Sequence, residues 1–303
     1  MAPWFCTAFA LHWLGYKELD RSIPILGERG LLFLAFFLVL GALDDRYSLS
    51  VRTRLVSKSL TYLIFVLATH SLHIDRILIP SLGLEVNLPW IDVGLTVLCL
   101  VALNNAVNMT DGRNGLLLGM TFIWLVMLIG QVPLLAAHPA MLILPALVAI
   151  AGFYNLRGKL FSGDAGSYAF SSLAGALAIW AHNLPLAQGG LTTTQLATFF
   201  AIPGFDLMRI MASRYRRGVS VTAPDHDHLH HRLDRTWGWR IGLPVYLASV
   251  GIPLVVGLQN HKSGLAGFAL ACVIYLGMWQ LTKQTAQGSD LHKTKNVSQA
   301  PVE

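Results

Sequence analysis

Val97-Leu98-Cys99-Leu100-Val101-Ala102-Leu103-Asn104-Asn105-Ala106-Val107-Asn108-Met109-Thr110-Asp111-Gly112-Arg113-Asn114-Gly115 is an apolar run that passes without a break into a polar one. The apolar half continues back to residue 90, which is the length and composition of a membrane-crossing helix. Its asparagines are costly to bury unpaired, and a carboxylate costs about 2.5–3.5 kcal/mol at a helix centre in a bilayer. A helix that carries such residues at its end is expected to enter a water-filled site.

The same juxtaposition recurs along the chain. Leu43-Asp44-Asp45-Arg46, Ser162-Gly163-Asp164-Ala165-Gly166-Ser167 and Asp225-His226-Asp227-His228-Leu229-His230-His231 each lie where a hydrophobic segment ends. Ten apolar segments are predicted, at 1–15, 30–43, 57–74, 90–107, 115–131, 139–154, 165–182, 192–210, 241–259 and 265–282. The fold class is therefore an all-α polytopic membrane protein. One transmembrane domain is expected over 1–282, with a polar tail over 283–303. Between the third and fourth segments, β-favouring residues around Ser81-Leu82-Gly83 predict a small hairpin near 77–89.

Composition supports this class. Only 13% of the 303 residues are charged, against roughly 25% in soluble chains, and the mean hydropathy is +0.55. A net charge of +6 could suggest nucleic acid in a soluble protein. Here positive charge gathered in cytoplasmic loops is the better account, and no nucleic-acid partner is expected. Cys6, Cys99 and Cys272 are odd in number and lie in apolar runs, which predicts small buried hydrophobes without disulfide or metal.

Sidedness follows from the loops. Those at 44–56, 108–114, 155–164, 211–240 and 283–303 hold 15 Lys and Arg, and the alternating set holds 5. The richer set is expected to be cytoplasmic. All the polar clusters fall at or in that set, which predicts one cytoplasmic-face site and a periplasmic hairpin.

The residue types indicate chemistry. Asp44, Asp45, Asp111 and Asp164, with Asn104, Asn105, Asn108 and Asn114 near them, are hard oxygen donors suited to Mg²⁺ or Mn²⁺. Mg²⁺ usually takes one or two carboxylates plus phosphate oxygens, which points to a phosphorylated substrate. Gly163-Asp164-Ala165-Gly166 opens a helix whose free N–H groups could receive an anion. Arg214, Arg216, Arg217, His226, His228, His230 and His231 could neutralise a diphosphate. The tight histidine spacing does not suit structural zinc. Asp206 and Arg209, three apart within the eighth segment, read first as a local ion pair and second as site-lining. Each cluster alone is common; their order and shared side carry the specificity.

At these residues the chain resembles the polyprenyl-phosphate N-acetylhexosamine-1-phosphate transferase family, and most closely its bacterial undecaprenyl-phosphate GlcNAc-1-phosphate branch. The resemblance rests on Gly41–Arg46, Asn105–Gly112, Phe161–Ser167, Ile202–Asp206 and Ala223–His231, which follow the family order. It implies a bacterial inner-membrane enzyme that moves a sugar 1-phosphate from a UDP-N-acetylhexosamine to polyprenyl phosphate, releases UMP and begins a lipid-linked glycan. Mg²⁺ would be held by Asn108 and Asp164. Asp44, Asp45, Asp111, Asp164 and His228 would be catalytic. Asn105, Asn114, Arg217, His226, His230 and His231 would bind substrate, with Asn114 at the uracil position. The bilayer and a second copy of the chain complete the expected partners.

A phosphomonoester is largely dianionic at neutral pH, so Asp45 is expected to position the lipid phosphate more than to deprotonate it. Asn114 stands where the family usually has Asp, and His226 where it usually has Arg. The family's first helix and its basic, glycine-rich loop do not precede Asp44, which leads us to expect an in-frame upstream extension or, failing that, a truncated inactive chain. The muramoyl-pentapeptide branch is the nearest alternative, but no Lys follows the acid pair at Arg46-Tyr47-Ser48. A transporter would instead place acids mid-segment with access from both sides.

Overall fold

The computed structural model describes residues 23–218 and 227–297, with side chains described as far as Lys283. Segment 1–15, Cys6, Asp225 and His226 lie outside the described residues. The other nine predicted segments all become helix. In chain order these are α1 (Glu28–Tyr47), α2 (Val51–Leu67), α3 (Asp92–Thr110), α4 (Leu116–Gln131), the single turn α5 (Pro133–Ala136), α6 (Pro139–Leu156), α7 (Gly163–His182), α8 (Thr193–Phe199) and α9 (Ala201–Arg216). The short α10 (Leu229–Trp237) follows, then α11 (Trp239–Gly257) and α12 (Gly264–Val297).

Among the described residues, α3, α6, α11 and the first 20 residues of α12 are long and apolar enough to cross a membrane. The α8–α9 pair would be a fifth if counted as one span, broken by a 73° bend. Of the other expected spans, 1–15 lies outside the described residues, and the rest fall short in length or composition. Helix α1 carries Glu28, Arg29, Asp44, Asp45 and Arg46 at its ends, α4 has only 16 residues, and α7 is rich in Gly, Ala and Ser.

The small residues of α7 explain its place. Every residue from Ser167 to His182 is buried, because small side chains let neighbouring helices approach closely. Helices α1, α3, α4 and α8 pack around it. The outer surface carries apolar side chains such as Leu32, Leu98 and Val273, which suits a lipid environment. Cys99 lies on that outer surface and Cys272 is half-buried, so neither is the core residue expected.

The hairpin forms one residue earlier than predicted. Strands β1 (Arg76–Ile79) and β2 (Leu84–Asn87) pair antiparallel, with Arg76 opposite Asn87 and Ile79 opposite Leu84. The Leu78 N–H donates to Thr193 Oγ1 at 2.7 Å, and His182 Nε2 lies 3.2 Å from the Arg76 carbonyl. The hairpin is thereby fastened to the C-terminal end of α7. Asp164 sits at the other end of the same helix, about 30 Å away for 20 residues. The hairpin and the acidic clusters occupy opposite ends of the bundle.

Candidate active site

The site assembles around the N-terminus of α7. Gly41 of α1 faces Ala165 so closely that an added Cβ would lie 2.4 Å from the Ala165 Cα. One turn further on, Asp45 projects over the end of α7. Its Oδ1 accepts the Asp164 N–H at 2.9 Å, and its Oδ2 accepts the Ala165 N–H at 3.2 Å. A carboxylate here satisfies free N–H groups and faces the positive end of the helix dipole. The anion expected at this helix end is thus the protein's own Asp45, a correction to the sequence reading.

Asp44 has a different environment. It is buried, and its carboxylate accepts from the Leu49 N–H at 2.9 Å, Arg54 Nη1 at 3.2 Å and the Tyr168 hydroxyl at 2.6 Å. These bonds tie α1, α2 and α7 together, and the Asp44 carboxyl also neighbours that of Asp164.

Helix α3 supplies the next group. Asn108 Nδ2 donates to Asp164 Oδ1 at 2.5 Å and to Ser167 Oγ at 2.9 Å. Asn105 Oδ1 accepts from Lys58 Nζ at 3.2 Å, and that ammonium lies 3.5 Å from the centroid of the Tyr168 ring. Asn104, grouped by sequence with the oxygen donors, is fully buried away from them. Its amide lies 3.0–3.2 Å from Tyr62, Ser171, Ser172 and the Tyr168 carbonyl, so it joins helices.

Asp111 follows directly after α3. Burial pushes its carboxyl up to about 7, with repulsion from Asp164 and Asp45 adding to the rise. Burial also raises the Asp164 carboxyl; the Asn108 amide offsets part of this, and Asp44 and Asp45 add to it. Crowded carboxylates with raised affinity for protons are suited to receive a cation. Among the described residues, no group of three His, Cys, Asp or Glu could hold a metal ion. Mg²⁺ binds through one or two carboxylates and completes its shell with water and phosphate oxygens, so it would not require such a group. Asp164 would supply the carboxylate for such an ion, and Asn108, with its amide turned over, would present a second hard oxygen.

The histidine segment closes on the same region. The Gly112 backbone approaches the His230 ring so nearly that a Cβ would lie 2.3 Å from Nε2. His230 is buried, and neither of its ring nitrogens has a hydrogen-bond partner among the described residues. Burial depresses it to about 3, with His231 and His228 adding repulsion, so it is uncharged at neutral pH. It packs against His231 at 4.1 Å between centroids and stacks on His228 at 5.7 Å. Charge neutralisation of a diphosphate, predicted for all the histidines, does not suit His230. Two further links pin the segment after Asp111: Arg113 pairs with Asp234, and Trp239 Nε1 donates to the Asn114 carbonyl at 2.8 Å. Arg217 lies at the C-terminus of α9, exposed, with its Nε bonded within its own last turn.

The structure thus brings Asp44, Asp45, Asn108, Asp111, Asp164 and the His228–His231 run to one end of the bundle. It adds Arg54, Lys58 and Tyr168, which the sequence reading did not single out. Lys58 was findable, as an ionisable residue inside an apolar segment. Tyr168 left no signal, since an aromatic residue in an apolar helix is ordinarily core.

The sequence pattern of glycosyl transferase family 4 matches residues 29–182. A probable undecaprenyl-phosphate N-acetylglucosaminyl 1-phosphate transferase from Bacillus subtilis (strain 168) is 32% identical over 211 residues, which cover 65% of this chain and 55% of the relative. The undecaprenyl-phosphate alpha-N-acetylglucosaminyl 1-phosphate transferase of Escherichia coli (strain K12) is 33% identical over 212 residues, with the same coverage. Its namesake in Yersinia pestis is 34% identical over 212 residues, covering 64% of this chain and 55% of the relative. The chain spans about half the length of the curated relatives it matches.

Proposed function

The chain belongs to glycosyl transferase family 4, and from that premise we propose that it transfers N-acetylglucosamine 1-phosphate from a UDP-sugar to undecaprenyl phosphate. A phosphate oxygen of the lipid attacks the sugar-bearing phosphorus of the nucleotide. The bond from that phosphorus to the bridging oxygen breaks, and UMP leaves with that oxygen. The product is a lipid-linked sugar diphosphate that starts a cell-envelope glycan. The site would face the cytoplasm of a bacterial inner membrane, as the loop charges suggest.

The observation that carries this reading is the convergence of Asp45, Asn108, Asp111 and Asp164 from three separate helix ends beside the histidine run. Phosphoryl transfer relies on positioning and on neutralising charge more than on covalent help from the protein. Bound at Asp164 and Asn108, Mg²⁺ (or Mn²⁺) would screen the diphosphate. Asp45, already accepting two backbone N–H groups, would act as an orienting group. Asp111 would change its charge as the site fills. The backbone near Asn114, fixed by Trp239, would present that amide to uracil. His228 and His231 would contact the phosphates.

The test is UMP release by membranes given UDP-GlcNAc and undecaprenyl phosphate. Activity that disappears with EDTA and returns with Mg²⁺ supports the proposal; release indifferent to EDTA would overturn the metal assignment.

A further inference from the structure

Within that proposed transfer site, we infer that Asp206 is a positioning residue: its carboxylate holds the His228 ring with Nδ1 protonated, and so turns Nε2 towards the substrate phosphates. Four groups converge on this buried acid. Arg209 Nη2 donates to Oδ1 at 2.9 Å, and the Tyr275 hydroxyl donates to Oδ1 at 3.0 Å. The Leu229 N–H lies 3.2 Å from both oxygens, and His228 Nδ1 lies 2.9 Å from Oδ2. An ionised carboxylate only accepts hydrogen bonds, so the shared proton belongs to His228 Nδ1. In the neutral ring this puts the lone pair on Nε2; in the charged ring it puts an N–H there.

The surroundings hold the ring from both sides in sequence. Leu229, just after it, is tied to Asp206 through its N–H. Asp227, just before it, receives Arg209 Nη1 at 2.8 Å and a two-pronged clamp from Arg232, with Nε and Nη2 each at 2.7 Å. Burial raises the Asp227 carboxyl, but Arg232 and Arg209 outweigh it and hold it below the ordinary range. Arg209 Nε reaches the Tyr275 hydroxyl of α12 at 2.9 Å. His230, stacked 14° from parallel on His228, closes another side. A self-contained ion pair between Asp206 and Arg209 would need none of these contacts. Here Oδ2 is given to the histidine.

The experiment uses the full chain with ¹⁵N-labelled histidine, and Asp206→Asn, Asp206→Glu and His228→Gln variants. The wild-type spectrum should contain an Nδ1–H signal that vanishes in His228→Gln. Asp206→Asn should remove that signal and lower kcat for UMP release by about 10- to 100-fold, the range in which partners of a functional histidine act. KM for the UDP-sugar should stay within about twofold, and Asp206→Glu should recover part of kcat. A wild-type His228 with its proton on Nε2 and none on Nδ1 overturns the inference even if Asp206→Asn fails to fold. A folded Asp206→Asn with unchanged kcat overturns it as well. If the wild type releases no UMP, the transferase reading fails, and the His228 spectrum still decides the role of Asp206.

Discussion

Gly41→Ala should disable the site through a single methyl group. An added Cβ would lie 2.4 Å from both Cα and N of Ala165 and 2.5 Å from the Asp164 carbonyl carbon. All three are backbone atoms, so no side chain can turn away. Ordinary carbon contacts begin near ~3.5 Å, and α1 must retreat from α7 by about 1 Å. Asp45 stands one helical turn from Gly41 on the same face. A 1 Å retreat takes its 2.9 Å bond to the Asp164 N–H beyond ~3.5 Å, where it no longer holds. Overpacking of this kind costs about 1–3 kcal/mol, and misplacing a reacting group by about 1 Å can cost roughly 100-fold in rate. The assay pairs UMP release with thermal unfolding in detergent, using Gly94→Ala as control. Nothing lies within 4 Å of a Cβ at Gly94. A Gly41→Ala protein as active and as stable as Gly94→Ala would refute the reasoning.

Other expectations follow from individual contacts. Asp111 is pushed up to about 7 in the folded state, so folding retains a proton that the unfolded chain releases near pH ~4. With EDTA present, the stability held below pH ~4 is lost as pH rises towards neutrality. Asp111→Asn should flatten that decline, and an unchanged pH dependence of the unfolding temperature would contradict it. Trp239→Phe removes the bond to the Asn114 carbonyl and should raise KM for the UDP-sugar by about two- to tenfold, a loss of ~0.5–1.5 kcal/mol. If kcat falls while KM stays constant, Asn114 does not read the nucleotide. Asp45→Asn should lower the pH–rate profile uniformly, because a lipid phosphate already ionised above pH ~6 needs no base. Selective loss of the acidic limb would show that Asp45 takes the proton.

The sequence carried the helices because apolar runs report burial and lipid contact directly, and it carried the hairpin because Ser81-Leu82-Gly83 interrupts β-favouring residues. Helix α10 escaped notice inside a stretch read as loop, since its charges and histidines hide the buried Leu229 and Leu233. Among the site residues, motif order marked Asp45, Asp111 and Asp164, which converge. It could not distinguish Asp44 from Asp45. Adjacent residues in a helix point about 100° apart, and only the packing of α1 on α7 sends one to Tyr168 and the other to the helix end. The bonds of Asp206 to His228 and Tyr275 were equally hidden, because these partners lie 22 and 69 residues away.

The most direct test of the central claim is product identity from UDP-GlcNAc labelled in the sugar, with undecaprenyl phosphate and Mg²⁺. Transfer of the sugar 1-phosphate predicts UMP in equal amount to a labelled lipid whose sugar is joined through a diphosphate. Release of UDP, with the sugar joined to the lipid through a single phosphate, would contradict it.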